Sequence, residues 1–276
     1  MAVGSAARRR RPGPVPDVAE FAPTSSRRVD QPLAFRPAPG WLPPGHRVYA
    51  VGDVHGCAAP LAAMLNTIAK DLAARPAARA ELVLLGDYID FGPDSAGVLT
   101  RLAGGAPLPG AALTALRGDH EQMLLDALAG DKPAATDWLA AGGGASLASW
   151  GIPREAPRTT WEATLPAAHL AFLRRLKLSH RAGGYLFVHA GLRPGVALAR
   201  QRREDVLAIR HPFLSEPAEF GVTVVHGHSV ARAVAVEPGR IGLDTGAGLG
   251  GALSCAVLED DLIACMTVPT DEGALR

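Results

Sequence analysis

The chain has 276 residues, with 28 lysines and arginines against 27 acidic residues, for a formal charge of +1. That balance argues against a protein that works by wrapping nucleic acid, where a basic excess drives affinity. Hydrophobic residues make up 48 % of the chain, enough for one large core or two small ones, and no apolar run reaches the ~18 residues of a membrane span.

Three cysteines, Cys57, Cys255 and Cys265, are far apart and lack CxxC spacing. Neither a disulfide framework nor a zinc ribbon is expected, and a reducing cytoplasm suits them best. Residues 1–45 stand apart, with Arg8–Arg11 followed by prolines from Pro12 to Pro44. This composition predicts a disordered or loosely draped tail preceding a domain over 46–276. The arginine run is expected to be solvated, with contact to an acidic partner as the alternative. Pro-rich sequence follows it in place of the apolar stretch of an export signal.

From Arg47 onward, short apolar runs repeatedly stop at a small residue followed by an acid or a histidine. They are Val48–Val51 before Gly52-Asp53, Leu82–Leu85 before Gly86-Asp87, and Leu113–Leu116 before Arg117-Gly118-Asp119. Tyr185–Val188 before His189 and Val222–Val225 before His226-Gly227-His228 continue the series. Runs of this length predict buried strands. Leu61, Met64, Leu65, Ile68 and Leu72 fall on one face of a helix with Pro60 in its first turn, and a second helix follows Glu121 and ends at Gly130. The alternation predicts a layered α/β fold with ligands beyond the carboxyl ends of the strands. Residues 131–180, with Trp138, Gly142-Gly143-Gly144, Trp150 and Trp161, are expected to form a helical insert on one side of the site, the tryptophans serving to pack it.

Asp53-Val54-His55 puts two ligating side chains on a tight turn, and Asp87 and Asp119 follow at intervals of about one βαβ unit. Carboxylates mixed with imidazoles suit Mn, Fe or Zn better than Mg or Ca. Two such ions ~3.5–4 Å apart activate a bridging water and clamp a phosphoryl group for in-line displacement.

Gly52-Asp53-Val54-His55-Gly56, Gly86-Asp87-Tyr88-Ile89-Asp90, Gly118-Asp119-His120-Glu121, His189-Ala190-Gly191 and His226-Gly227-His228 resemble the ordered motifs of PPP-type phosphoprotein phosphatases, over roughly residues 47–258. These belong to the calcineurin-like metallophosphoesterases, whose relatives include the bis(5′-nucleosyl)-tetraphosphatases. The resemblance implies an α/β/β/α metallophosphoesterase fold and a strand-end binuclear site holding two divalent ions, Mn expected and Fe or Zn possible. It implies that Asp53 and His55 hold one ion, that Asp87 bridges, and that Asp119, His189 and His228 hold the second. His120 is implied as general acid, oriented by Asp90, and Arg210 as a phosphate-binding arginine, with an exposed helix residue as its alternative. His226 is open between supporting the ligands and packing, and Asp244 is expected to tie the site together by hydrogen bonds. His46, His169, His180 and His211 match no position of the family and are expected to be surface or structural.

Two positions depart from the pattern. Phe91 stands where the family has arginine, and Asp119 where it has asparagine, which together shift the site's charge by −2. Weaker phosphate binding and a relative preference for less anionic substrates, such as phosphodiesters, are expected. The tetraphosphatase branch tends to replace the acid at position 90 and to carry Asp at 121, whereas this chain has Asp90 and Glu121. The sequence therefore leans to a serine/threonine phosphatase acting on phosphorylated protein or small phosphoesters. The alternatives are a tetraphosphatase, or a degenerate member that binds phospho-ligands with little turnover.

Overall fold

In the computed structural model, residues 33–216 and 219–270 are described, so the Arg8–Arg11 cluster lies outside them. The chain runs through β1 (Arg36–Pro37), β2 (His46–Val51), α1 (Ala58–Ala74), β3 (Arg79–Leu84), α2 (Ser95–Ala103), β4 (Ala112–Ala115) and α3 (Asp119–Leu128). Four short helices follow, α4 (Lys132–Trp138), α5 (Gly144–Ser149), α6 (Arg158–Thr164) and α7 (Ala167–Arg175). Next come β5 (Ser179–Ala182), β6 (Tyr185–Val188), α8 (Arg203–Ala208), β7 (Thr223–His226), β8 (Ala235–Glu237) and β9 (Arg240–Gly242). A hairpin of β10 (Ala252–Glu259) and β11 (Leu262–Pro269) closes the described part.

All five expected strands form: β6 at the expected bounds, β2 starting two residues earlier, β3 starting three residues earlier and ending one short, and β4 and β7 displaced by one residue. The strands lie in two sheets, ordered β1-β11-β10-β2-β3-β4 and β5-β6-β7-β9-β8. Because successive side chains alternate faces, β2 sends Val48 and Ala50 into the space between the sheets and Tyr49 and Val51 toward the helices. Val48, Ala50, Val83, Leu85 and Leu258 meet Tyr185, Phe187, Val225 and Ile241 in one buried cluster. Tyr49, Val51, Leu82 and Leu84 pack with Leu61, Met64 and Ile68 of α1 and with Val98 and Leu99 of α2. Val188 and Val224 on the outer face of the smaller sheet are covered by Val206 of α8 with Ile209 and Phe213. The layers are therefore α/β/β/α.

The start of the domain is corrected by these contacts. Arg36 and Pro37 pair antiparallel with Ile263 and Leu262, Leu42 is buried, and the Pro39 carbonyl accepts from the Thr223 hydroxyl at 2.7 Å. Residues 36–37 thus join the larger sheet, and Pro39 and Leu42 are tied to the body of the domain. Proline, lacking an N–H, is tolerated there because β1 is an edge strand.

Candidate metal and phosphate site

Strands β2, β3 and β4 run parallel, as do β6 and β7, so their carboxyl ends form one rim. Asp53 and His55 leave β2, Asp87 and Asp90 leave β3, Asp119 and His120 open α3 just beyond β4, and His189 and His228 follow β6 and β7. Tight turns at these strand ends aim the side chains inward. Among the described residues, His55, Asp87, Asp90, Phe91 and His228 have positive φ, Asp260 being the other non-glycine to do so. Such backbone strain is tolerated where surrounding structure over-determines it, and it concentrates at functional sites.

Asp87, Asp119, His189 and His228 offer ligand atoms within 4.8 Å of one another, and so do His55, Asp87 and His120. Asp87 is common to both groups, its Oδ2 lying 3.5 Å from His55 Nε2 and 3.4 Å from His189 Nε2. Asp119 Oδ1 is 3.0 Å from His189 Nε2 and 3.1 Å from His228 Nδ1. The other nitrogens of two of these rings are held by carbonyls, His55 Nδ1 by Ile89 O at 2.9 Å and His189 Nδ1 by Leu85 O at 2.9 Å. Each arrangement leaves Nε2 for the site. Asp53 Oδ2 accepts from the His228 N–H at 2.8 Å, whereas its buried Oδ1 has no hydrogen-bond partner. A buried carboxylate oxygen without a partner is costly unless a cation meets it, so the donor set fits two divalent ions.

The charges couple strongly. Burial, then the neighbouring Asp244, holds the Asp53 carboxyl well above the usual carboxylate range. Burial acts the same way on Asp87, but the charges of His189 and His120 and a hydrogen bond from His189 together overcome it and bring Asp87 down to about 2. Asp119, despite its own burial, is held well below the usual range by the charge of His228 and hydrogen bonds from His189 and His228. Burial lowers His120 and His189, yet the charge of Asp87 together with the hydrogen bonds and charges of the neighbouring aspartates outweighs it in both, holding His189 well above the ordinary histidine value and pushing His120 up to about 10.

His120 Nδ1 sits 2.7 Å from Asp90 Oδ2. Phe91 lies against the same imidazoles, its ring centroid 4.9 Å from that of His55 and 5.2 Å from that of His120. A Cβ at Gly248 would come within 2.6 Å of His55 Cβ and 3.1 Å of Phe91 Cβ, so this closure requires glycine. Arg210 is exposed, one residue beyond the C-cap of α8, and joins none of these hydrogen bonds.

Residues 46–249 match the calcineurin-like phosphoesterase family. The chain belongs to that family. A symmetrical bis(5′-nucleosyl)-tetraphosphatase of Methylococcus capsulatus is 34 % identical over 170 residues, covering 58 % of this chain and 50 % of the relative. Serine/threonine-protein phosphatase 1 of Salmonella typhimurium is 43 % identical over 96 residues, covering 35 % of this chain and 38 % of the relative. The chain thus spans half or less of the length of these curated relatives. A crystal structure provisionally assigned as a diadenosine tetraphosphatase superposes with a TM-score of 0.60 at 26 % identity, covering 82 % of this chain and 95 % of that one.

Several residues of this phosphoesterase site were not legible as such in the sequence. Glu121, fully buried, accepts from the N–H groups of Asp87 (2.9 Å), Tyr88 (2.7 Å) and Gly118 (2.9 Å). It pins the Asp87 turn to the start of α3. Its signal was an acid three residues after the Gly118 N-cap, the place from which a carboxylate reaches back to the N-cap N–H. Trp138 and Ser146 donate to Asp90 at 2.8 and 2.6 Å, and neither carries a local signal.

The remaining histidines resolve mostly into structure. His226 is buried against Phe213, its Nδ1 3.1 Å from Gly227 O, so it packs. Burial first, with the charge of Arg240 adding to it, drives its pKa down to about 4. His169 joins Thr100 and Trp150, and His46 and His180 both reach Glu81. Asp244 accepts from the Gly246 N–H at 3.0 Å, which holds the loop behind Asp53.

Proposed function

We propose that this chain hydrolyses phosphomonoesters of alcohols, phosphoserine and phosphothreonine in proteins among them, using two divalent ions. The observation that carries this reading is the Asp90–His120 pair at 2.7 Å. An alkoxide leaves phosphorus poorly and gains most from a proton delivered as the bond breaks, whereas a nucleotide leaving group needs that help far less. The proposed ligands are Asp53, His55, Asp87, Asp119, His189 and His228. Two ions held there, Mn expected and Fe or Zn the alternatives, supply Lewis acidity and an activated water.

The chain's own residues do the rest. With Nδ1 engaged by Asp90, His120 presents Nε2 as the proton donor to the leaving oxygen. Glu121 keeps the Asp87 turn and the start of α3 in register, so the shared carboxylate and the acid stay in fixed relation. Arg210 is proposed to meet the phosphate from the exposed rim, and Phe91 supplies an apolar surface where a cationic one would bind phosphate more tightly.

A second reading, hydrolysis of dinucleoside tetraphosphates, is favoured by Phe91 and by the tetraphosphatase relatives. An apolar cavity of about 190 Å³, lined by Cys57, Pro60, Gly92, Pro93, Ala247 and Gly248, begins one residue from Phe91 and offers room for a base.

The deciding assay compares a phosphothreonine peptide, diadenosine tetraphosphate, p-nitrophenyl phosphate and bis-p-nitrophenyl phosphate with Mn present. The first reading expects the peptide to exceed the tetraphosphate in kcat/KM; the reverse order would establish the second. Phe91→Arg is expected to raise kcat/KM for p-nitrophenyl phosphate about tenfold while leaving the diester behind, since a restored arginine pairs best with a dianion. Turnover absent from wild type with Mn, Fe, Zn and Co, yet gained in Phe91→Arg, would mark a degenerate member.

A further inference from the structure

Asp90 is fully buried, and its two oxygens meet three side-chain donors. Oδ2 lies 2.7 Å from His120 Nδ1 and accepts from Trp138 Nε1–H at 2.8 Å. Oδ1 accepts from Ser146 Oγ–H at 2.6 Å, and the Asp90 N–H donates back to the same Oγ at 2.8 Å. Trp138 and Ser146 both come from the helical segment between Lys132 and Ser149, which contributes no ligand to the site.

Trp138 is held with little freedom. It is fully buried, and Trp161 packs edge-on against it at 5.3 Å between ring centroids. A Cβ on Gly143 would lie 2.5 Å from the indole carbons, so the backbone kink between α4 and α5 rests directly on the ring. An indole N–H can only donate. Aimed at the oxygen that faces His120, it favours Oδ2 as a pure acceptor, which places the Nδ1 proton on the imidazole and leaves Nε2 toward the reaction.

We infer that Trp138 and Ser146 are positioning residues for proton delivery to the leaving group, acting through Asp90 on His120. This rests on the proposed role of His120. In the step concerned, a water oxygen bonds to phosphorus as the ester P–O bond breaks, the proton the water gives up passes to solvent, and His120 later takes one back from solvent. The bonding pair stays on the leaving oxygen, which takes the proton from His120 Nε2, and Asp90 takes none. The insert is thereby more than a packed cover: its fold sets the orientation of the acid.

The test uses the full chain with Mn and two monoesters, phenyl phosphate with a poor leaving group and 2,4-dinitrophenyl phosphate with a good one that needs no proton. Trp138→Phe keeps the aromatic volume and removes the N–H. It is expected to lower kcat on phenyl phosphate about tenfold and on the dinitrophenyl ester by less than about twofold. Ser146→Ala is expected to behave alike, Ser146→Thr to recover the loss, and the pair supplies the readout where Trp138→Phe is too unstable to assay. Trp161→Phe, which disturbs packing but no bond to Asp90, is expected to lower the melting temperature and change both esters equally.

Equal losses on both esters in Trp138→Phe and Ser146→Ala would overturn the inference while leaving the reading of His120 intact. His120→Asn keeps the two failures apart. It is expected to lose about 10²-fold on phenyl phosphate with the dinitrophenyl ester spared. Equal loss there would overturn the role of His120 and the inference with it.

Discussion

Asp87 concentrates the chemistry of the site in one carboxylate. Its Oδ2 lies near imidazoles of both ligand groups, and its N–H and those of Tyr88 and Gly118 are held by Glu121. On the proposed ligand set, removing it would take a donor from both ions at once. Asp87→Ala is therefore expected to lower bound Mn from about two per chain to one or none, read by elemental analysis after gel filtration. A variant that keeps both ions would show that Asp87 is not shared. Phe91 makes a contrasting case: its ring meets His55 and His120 edge-on or tilted, so its replacement is expected to change substrate preference more than ion content.

The turns and strands around these residues carry their own predictions. Glu121→Ala leaves four buried N–H groups, those of Asp87, Tyr88, Ile89 and Gly118, facing the carboxylate's former place, each costing about 1–3 kcal/mol if unsatisfied. A loss of several kcal/mol in chemical denaturation is expected, and Glu121→Gln is expected to recover part of it through its remaining carbonyl oxygen. Toward the opposite ends of β2 and β3, Glu81 bridges His46 (2.9 Å) and His180 of β5 (2.6 Å), and so ties the two sheets together. Burial would raise the Glu81 carboxyl, but His180 and the charges of Arg79 and His46 bring it below its ordinary value of 4.5. A depressed carboxylate contributes stability that is fully present above that ordinary value and lost as pH falls through the folded-state value. Wild type is thus expected to lose stability between about pH 5 and pH 3 more steeply than Glu81→Gln, measured by thermal melts across that range; parallel curves would dismiss this role for Glu81.

At the level of the whole molecule, three buried carboxylates, Asp53, Asp87 and Asp244, and the partly exposed Asp119 converge at the rim of the two packed sheets. Their charges couple to the histidines beside them, the charge of Asp87 and hydrogen bonds to Asp119 and Asp87 together raising His189 despite its burial. Cations and protons therefore compete for the same cluster. Mn is expected to raise the melting temperature of chelator-treated protein, with a linkage gain of about 2.7 kcal/mol at a hundredfold excess over Kd. Because His189 must release its proton before it can ligate, Mn affinity is expected to weaken as pH falls from 8 to 6, with proton release visible in calorimetry across buffers of different ionisation enthalpy. Affinity independent of pH would mean that the histidines are neutral before the ion arrives.

Sequence by itself determined the five strands that end at the rim and the candidate ligands there, because each apolar run of four residues stops just before the side chain it delivers. Strand, turn and ligand are contiguous at Val51-Gly52-Asp53 and Leu85-Gly86-Asp87, so local pattern is enough. The β10–β11 hairpin carries no site residue at its ends, and it was missed although it supplies the edge on which residues 36–37 pair. That pairing also moved the start of the domain into what composition alone had marked as tail. Only the tertiary structure decided the surroundings of Asp90 and Asp87. Trp138 lies 48 residues from Asp90 and Ser146 lies 56, while Glu121 reaches Tyr88 across 33. Nothing in the sequence near a buried carboxylate says which distant donors will satisfy it. Burial demands partners, and the packing of helices onto the sheet selects them.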